Sequence, residues 1–94
     1  MIHARGHVAT PEASRWLQRL CHHFSRKIAV QYDAHQGRAE FPWGVCEMRA
    51  DAQALHFACT AQTGEALAQG RFTIEEHVKL FARRAPMVVQ WDFG

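Results

Sequence analysis

Between residues 28 and 60 the chain switches hydrophobic side at every second residue, in four short segments with only a few residues between them. Alternation with a period of two marks strands with one buried face. Connections this short force antiparallel neighbours, because a parallel crossover needs about a dozen residues or more. Ile28, Val30 and Tyr32 alternate with Ala29, Gln31 and Asp33, and Ala34-His35-Gln36-Gly37 reads as a turn. Segments 38–41, 45–50 and 54–60 continue the pattern, with Asp51-Ala52-Gln53 as the last turn. The inward set is Ala39, Phe41, Cys46, Met48, Leu55, Phe57 and Cys59. Charge decides one register. Pairing Phe41 with Cys46 sets Glu40 against Glu47 and Arg38 against Arg49, and like charges directly opposite are unfavourable. Sliding by two residues pairs Glu40 with Arg49 and Arg38 with Asp51 and keeps every side chain on its face. The expected register is therefore the second, with Trp43-Gly44-Val45-Cys46 as the loop.

Before this block, Ile2, Ala4, Gly6 and Val8 alternate with His3, Arg5 and His7 as a half-buried strand. Thr10-Pro11-Glu12 follows, with a favoured N-cap, a proline suited to the first helical position and an early acid suited to the helix dipole. The helix it opens carries Ala13, Trp16, Leu17, Leu20, Cys21 and Phe24 on one face. Arg26 and Lys27 close it. In the last third, Thr73-Ile74-Glu75-Glu76 has the form of a capping box, and Ile74, Val78, Phe81 and Ala82 make an apolar face. Leu67 and Gly70 join that stripe if the helix begins near Gly64, although a glycine inside a helix costs about 1 kcal/mol. The segment is thus either one kinked helix over 64–84, which leaves Phe72 exposed, or a short turn and a second helix from Thr73. Pro86 ends it, and Met87, Val89 and Trp91 alternate as a closing strand. The order β-α-β-β-β-β-α-β gives an α+β two-layer sandwich, a mostly antiparallel sheet with two helices packed on one face. The helical crossovers imply parallel or long-range pairing at the termini.

The 94 residues hold one domain, 1–94. No apolar run approaches the roughly 20 residues of a membrane span, and the N-terminus lacks the apolar stretch of a signal peptide. These features predict a cytoplasmic chain without a membrane partner. Three cysteines with no C-x-x-C spacing fit a reducing compartment rather than a disulfide framework. A net charge of +2 and a pI near 8.6 fall short of the strongly basic stripe of a nucleic-acid domain. The basic residues of the two helices have no interleaved aromatics for base stacking. Seven histidines would take the formal charge from +2 to +9 if all were protonated, so behaviour near pH 6 is expected to be pH-sensitive.

The sharpest constellation is Cys21, His23, Cys46 and His77. With the helices side by side, both histidines border the groove between them, and both thiols point into the same layer. Such ligands suit zinc or iron, and a catalytic metal site needs about three protein ligands and an open position. The plainer reading is structural: none of the four share a local metal-binding spacing, a lone cysteine behaves as a small hydrophobe, and a boundary histidine more often caps a hydrogen bond. A thiol activated by a nearby histidine is a third reading. The outer sheet face carries His3, Arg5, His7, Arg38, Glu40, Arg49, His56 and Gln90. It reads as solvated surface, a dimer interface, or a platform for a carboxylate or phosphate. Trp43, in the FPWG segment, reads as an interaction-surface aromatic. No phosphate-binding glycine loop, nucleophile elbow or H-E-x-x-H occurs, so no catalytic residue is assigned.

The stretches TPEASRWLQRL (10–20), LCHHF (20–24) with Lys27 beyond, GRAEFPWGVCEMRA (37–50), HVKLFARR (77–84) and Trp91 make the chain resemble the bacterial "domain of unknown function 2218" family. Gly70 and Phe72-Thr73 depart from the continuous amphipathic helix expected there. The resemblance implies a compact bacterial domain with no catalytic residues to carry over, in a setting of iron and siderophore utilisation. The resulting expectation is a non-enzymatic accessory module binding a small molecule or an iron-utilisation protein. A metal- or thiol-dependent protein and a homodimeric interaction domain are the alternatives.

Overall fold

The computed structural model describes residues 1–81 and 89–92. Its elements are β1 (Ile2–Ala9), α1 (Ala13–Phe24), β2 (Ala29–Tyr32), β3 (Gln36–Phe41), β4 (Gly44–Ala50), β5 (Ala54–Ala61), α2 (Gly64–Phe81) and β6 (Gln90–Asp92). The six strands form one sheet in the order β2-β3-β4-β5-β1-β6. Every pairing is antiparallel, so the terminal strands pair at long range and none pairs in parallel. The α+β expectation holds, with both helices on one face.

The inward set is as the alternation implies. Ala39, Cys46, Met48, Leu55, Phe57 and Cys59 are buried and Phe41 packs on the core from its edge. From α1 come Ala13, Leu17, Leu20, Cys21 and Phe24, with Trp16 half-buried; from α2 come Leu67, Ile74 and Val78. The Thr10 hydroxyl accepts the N–H of Glu12 at 3.1 Å, which satisfies a donor just ahead of α1. The turn after β2 is made by Asp33, whose carboxylate accepts the N–H groups of His35 and Gln36, and Gly37 lies inside β3 rather than in the turn.

The β3–β4 register differs from the expected one. Glu40 faces Val45, Ala39 faces Cys46 and Arg38 faces Glu47, and the connection shortens to Pro42-Trp43. The slide of two residues is real but runs in the opposite direction. It removes the like-charge pairs equally well, by opposing Arg38 to Glu47. It also places Trp43 at the tip of the hairpin, buried and stacked on Phe41 with ring centroids 4.8 Å apart.

That placement explains α2. The helix is continuous through Gly70, where a Cβ would lie 2.6 Å from the Trp43 ring. Gly70 is therefore where the helix lies directly against the indole. The capping box at Thr73 does not form: its hydroxyl donates to the carbonyl of Gln69 inside the helix. Thr63 does the capping, accepting the N–H of Ala66 at 3.1 Å. Phe72 is exposed, as the continuous reading requires. At the other edge, Trp91 lies over Gly6 and donates its indole N–H to Glu75 at 2.6 Å. Val89 is buried and Gln90 exposed, in the expected phase. The Phe81 side chain, Ala82, Pro86 and Met87 lie outside the described residues.

Gly70→Ala tests the indole contact. The substitution raises helix propensity by about 1 kcal/mol, but forcing the ring aside costs more, typically 1–3 kcal/mol. We expect a net loss in chemical denaturation. Gly64→Ala, where nothing lies within 4 Å of the added Cβ, should be neutral or slightly stabilising.

Candidate functional site

The two histidines of the groove meet. His23, in the last turn of α1, and His77, on α2, have ring centroids 4.9 Å apart, and Phe24 lies edge-on to His77 at 4.9 Å. Phe24 continues to Phe41 at 5.0 Å, so an aromatic chain runs from the groove to Trp43. The Nδ1 of His77 lies 2.7 Å from the carbonyl of Thr73, so that nitrogen carries the proton and donates it. Partial burial, then the neighbouring His77, Arg26, Lys27 and His22, push the pKa of His23 below its usual value.

The thiols are arranged otherwise. Cys21 is buried against the sheet, and burial pushes its pKa up to about 11. Cys46 lies directly opposite Cys59 on β5, with the sulfurs 3.7 Å apart. Among the described residues, no three His, Cys, Asp or Glu side chains are grouped to hold a metal ion. Of the quartet Cys21, His23, Cys46 and His77, the two imidazoles meet, Cys46 belongs to a thiol pair on the sheet, and Cys21 stays outside both pairs. The second member of that thiol pair is Cys59. A sequence signal for it existed: with Cys46, Met48, Leu55, Phe57 and Cys59 all on the inward face, setting Ala50 opposite Leu55 brings 46 opposite 59.

Trp43 is not a surface residue. It is packed between Phe41 and Gly70, and its indole nitrogen is buried without a hydrogen-bond partner. The reason is the hairpin register, which folds the FPWG segment inward beneath α2.

The helix-free face of the sheet forms an open trough of about 920 Å³. Strand pairing arranges its side chains in rows. One row reads Gln36, Arg49, His56, His7, Gln90 across five strands; the next reads Gln31, Arg38, Glu47, Ala58, Arg5, Asp92 across six. In the second row each arginine has a carboxylate opposite on a neighbouring strand. The first row is different: Arg49 and two imidazoles face no carboxylate within the row. Among the described residues none of Arg5, Arg38 and Arg49 is in an ion pair. His56 contacts Asp51 at 2.8 Å and stands 6.3 Å from the ring of His7. Backbone N–H bonds from Gln53, then His56 and the N–H of Ala54, hold Asp51 down to about 2. Ala58 is the short side chain of the second row, a notch between Glu47 and Arg5. His3, at the rim, lies 3.2 Å from the Thr60 hydroxyl.

With this geometry in hand, comparison with known proteins is informative about family and fold. A family model described as "Uncharacterized protein conserved in bacteria (DUF2218)" matches residues 5–92. The chain belongs to that family. An NMR structure of PA4090 from Pseudomonas aeruginosa is similar at 24% identity with a TM-score of 0.82, over 98% of this chain and 96% of that one. At that identity the likeness concerns the fold. No curated protein matches the chain. Among the described residues no helix is long and apolar enough to cross a membrane.

The depressed pKa of His23 has a consequence for stability. The unfolded chain holds a proton on this imidazole up to about pH 6.5, whereas the folded chain releases it at lower pH. Folding therefore loses stability as pH falls through about 6.5 toward the folded value. Denaturation midpoints measured from pH 7.5 to 5 should fall, and His23→Gln should flatten that slope. Asp51 acts in a separate window, below about pH 4, where its protonation removes the turn bonds.

Proposed function

We propose that the chain is a non-enzymatic binding module that takes an anionic small molecule, or an anionic segment of a partner protein, on the helix-free face of its sheet. The observation that carries this reading is the row Arg49–His56–His7 across the middle of the trough. It clusters donors beside the Ala58 notch; Asp51 takes up His56, while Arg49 and His7 face no carboxylate within the row. Guanidinium and imidazole together suit carboxylate or phosphate oxygens, since charge-assisted bonds to planar anions are the strongest that surface side chains make. Both helices lie on the other face, so nothing in the described chain covers the row.

The family's resemblance-based setting of iron and siderophore utilisation suggests ferric chelates with anionic oxygens as ligands to test first. A metal-dependent role at that quartet is less favoured, because of its four donors His23 and His77 meet while Cys46 pairs instead with Cys59 and Cys21 joins neither pair. A homodimer would use the same trough.

Thermal-shift titration with ferric and iron-free siderophores, citrate and phosphate is the direct test. At least one should raise Tm, and Arg49→Ala should weaken its binding about 10- to 100-fold, the effect of losing one hydrogen bond to a charged group. Ala58→Trp, which fills the notch, should abolish binding while the far-ultraviolet spectrum stays unchanged. Silence from every ligand would overturn the small-molecule reading. A dimer by light scattering that Ala58→Trp dissociates would move the trough to self-association.

A further inference from the structure

We propose that Cys46 and Cys59 are an oxidation site, closing to a reversible disulfide on exposure to hydrogen peroxide. This inference goes beyond the binding reading and does not depend on it.

The geometry is that of a bond needing little rearrangement. The two residues are register partners on adjacent antiparallel strands. Facing Cα atoms in such strands are about 4.5–5.5 Å apart, inside the roughly 4.4–6.8 Å that disulfides span. The sulfurs are 3.7 Å apart and one thiol donates to the other. An S–S bond of roughly 2.05 Å requires the sulfurs to close the remaining distance, with the strands already holding the two residues face to face. The pair is also asymmetric. The Cys46 thiol, by its hydrogen bond, and more weakly the Arg71 guanidinium of α2 favour negative charge on Cys59 against the opposing effect of its burial. Cys46 is pushed the other way, by its hydrogen bond to Cys59 and by complete burial. Cys59 is therefore the nucleophile and Cys46 the thiol that resolves it. For Cys21 burial is the cause of its raised pKa, and Cys21 in turn adds to the upward push on Cys46.

The chemistry balances. The Cys59 thiolate attacks one peroxide oxygen and the O–O bond breaks. The leaving hydroxide takes up the proton Cys59 had released, giving water and a sulfenic acid. The Cys46 sulfur then attacks the Cys59 sulfur and expels hydroxide, which takes the Cys46 proton as a second water. Two thiols and one peroxide give one disulfide and two waters. A dithiol reductant returns the two electrons and two protons. Both sulfurs are buried, so the reaction waits on local opening and on an oxidant little larger than water.

Trypsin separates the three cysteines into peptides 20–26, 39–49 and 50–71, so one experiment distinguishes the pairings. The protein is treated with peroxide, alkylated under denaturing conditions, digested and mapped by mass. The expected product is a link between 39–49 and 50–71, two hydrogens lighter, reversed by dithiothreitol, with Cys21 fully alkylated. Three alkylated cysteines, under exposure that oxidises an unfolded control, would overturn the proposal. So would a link containing Cys21. In Cys46→Ala, a sulfenic-acid trap should label Cys59; in Cys59→Ala, Cys46 should stay unlabelled. The opposite labelling would overturn the assignment of roles, and the wild-type map decides the bond even if a variant fails to fold.

Discussion

The pairing of β1 with β5 is the constraint from which the rest follows. Eight residues at the start of the chain align with eight that end at Ala61, Ile2 facing Ala61 and Ala9 facing Ala54. Bringing together segments this far apart carries a loop-closure penalty that nothing local repays. It is offset by burying Ala4 and Val8 against Cys59 and Leu55 on the inner face. With β1 held between β5 and β6, β2 joins at the far edge, beyond β3 and β4. The chain must therefore cross back over the sheet, and α1 is that crossing. The second crossing, from β5 to β6, carries α2 over β5, β1 and β4. Both helices share a side, and the other side is left as a bare polar surface.

How much of this was legible follows from the range of the interaction that decides each feature. Alternation and amphipathic spacing are local, so the strand faces, α1 and the inward set could be read directly. The β3–β4 register could not. Avoiding like charges was the right criterion, but it is satisfied by a slide in either direction, and both put unlike charges opposite. What separates them is the burial of Trp43 against Gly70, residues 27 apart in sequence, so no feature of the hairpin alone reveals it. The same contact explains why Gly70 looked like a helix break. Thr73-Ile74-Glu75-Glu76 misled for a related reason. A T-x-x-E pattern caps only where the preceding chain leaves the helix, and Leu67 had already committed the preceding turn to the core.

The candidate site shows the same division. The wheel positions of His23 and His77 put both at the groove, because each depends only on its own helix and on the helices lying side by side; that the two rings meet there emerges only from the structure. The cysteine assignment needed the pairing of strands. Cys21 and Cys46 belong to the same layer but approach it from opposite sides, one from a helix and one from the sheet. The sheet supplies Cys46 with its own neighbour, Cys59. The outer rows were visible as a list of polar residues, but their order across strands emerges only once β1 is placed beside β5. That order brings His7 next to His56 and separates the basic row from the charge-balanced one.

The period of two in β4 and β5 ties the two faces together. Cys46 is followed by Glu47, and Cys59 is preceded by Ala58, so the thiol pair and the notch lie back to back through one layer of backbone. Side chains on the inner face meet a close-packed core, which resists displacement; those on the outer face meet solvent and yield readily. A bond drawing the two inner sulfurs together would pin the twist between β4 and β5, and the outer face would absorb the adjustment. The spacing of Glu47, Ala58 and Arg5 is therefore the part of the trough most exposed to the state of the thiols. The Arg49–His56 step, three residues along β4 from Cys46, lies nearer the turn, where the Asp51 carboxylate already fixes the backbone through its bonds to Gln53 and Ala54.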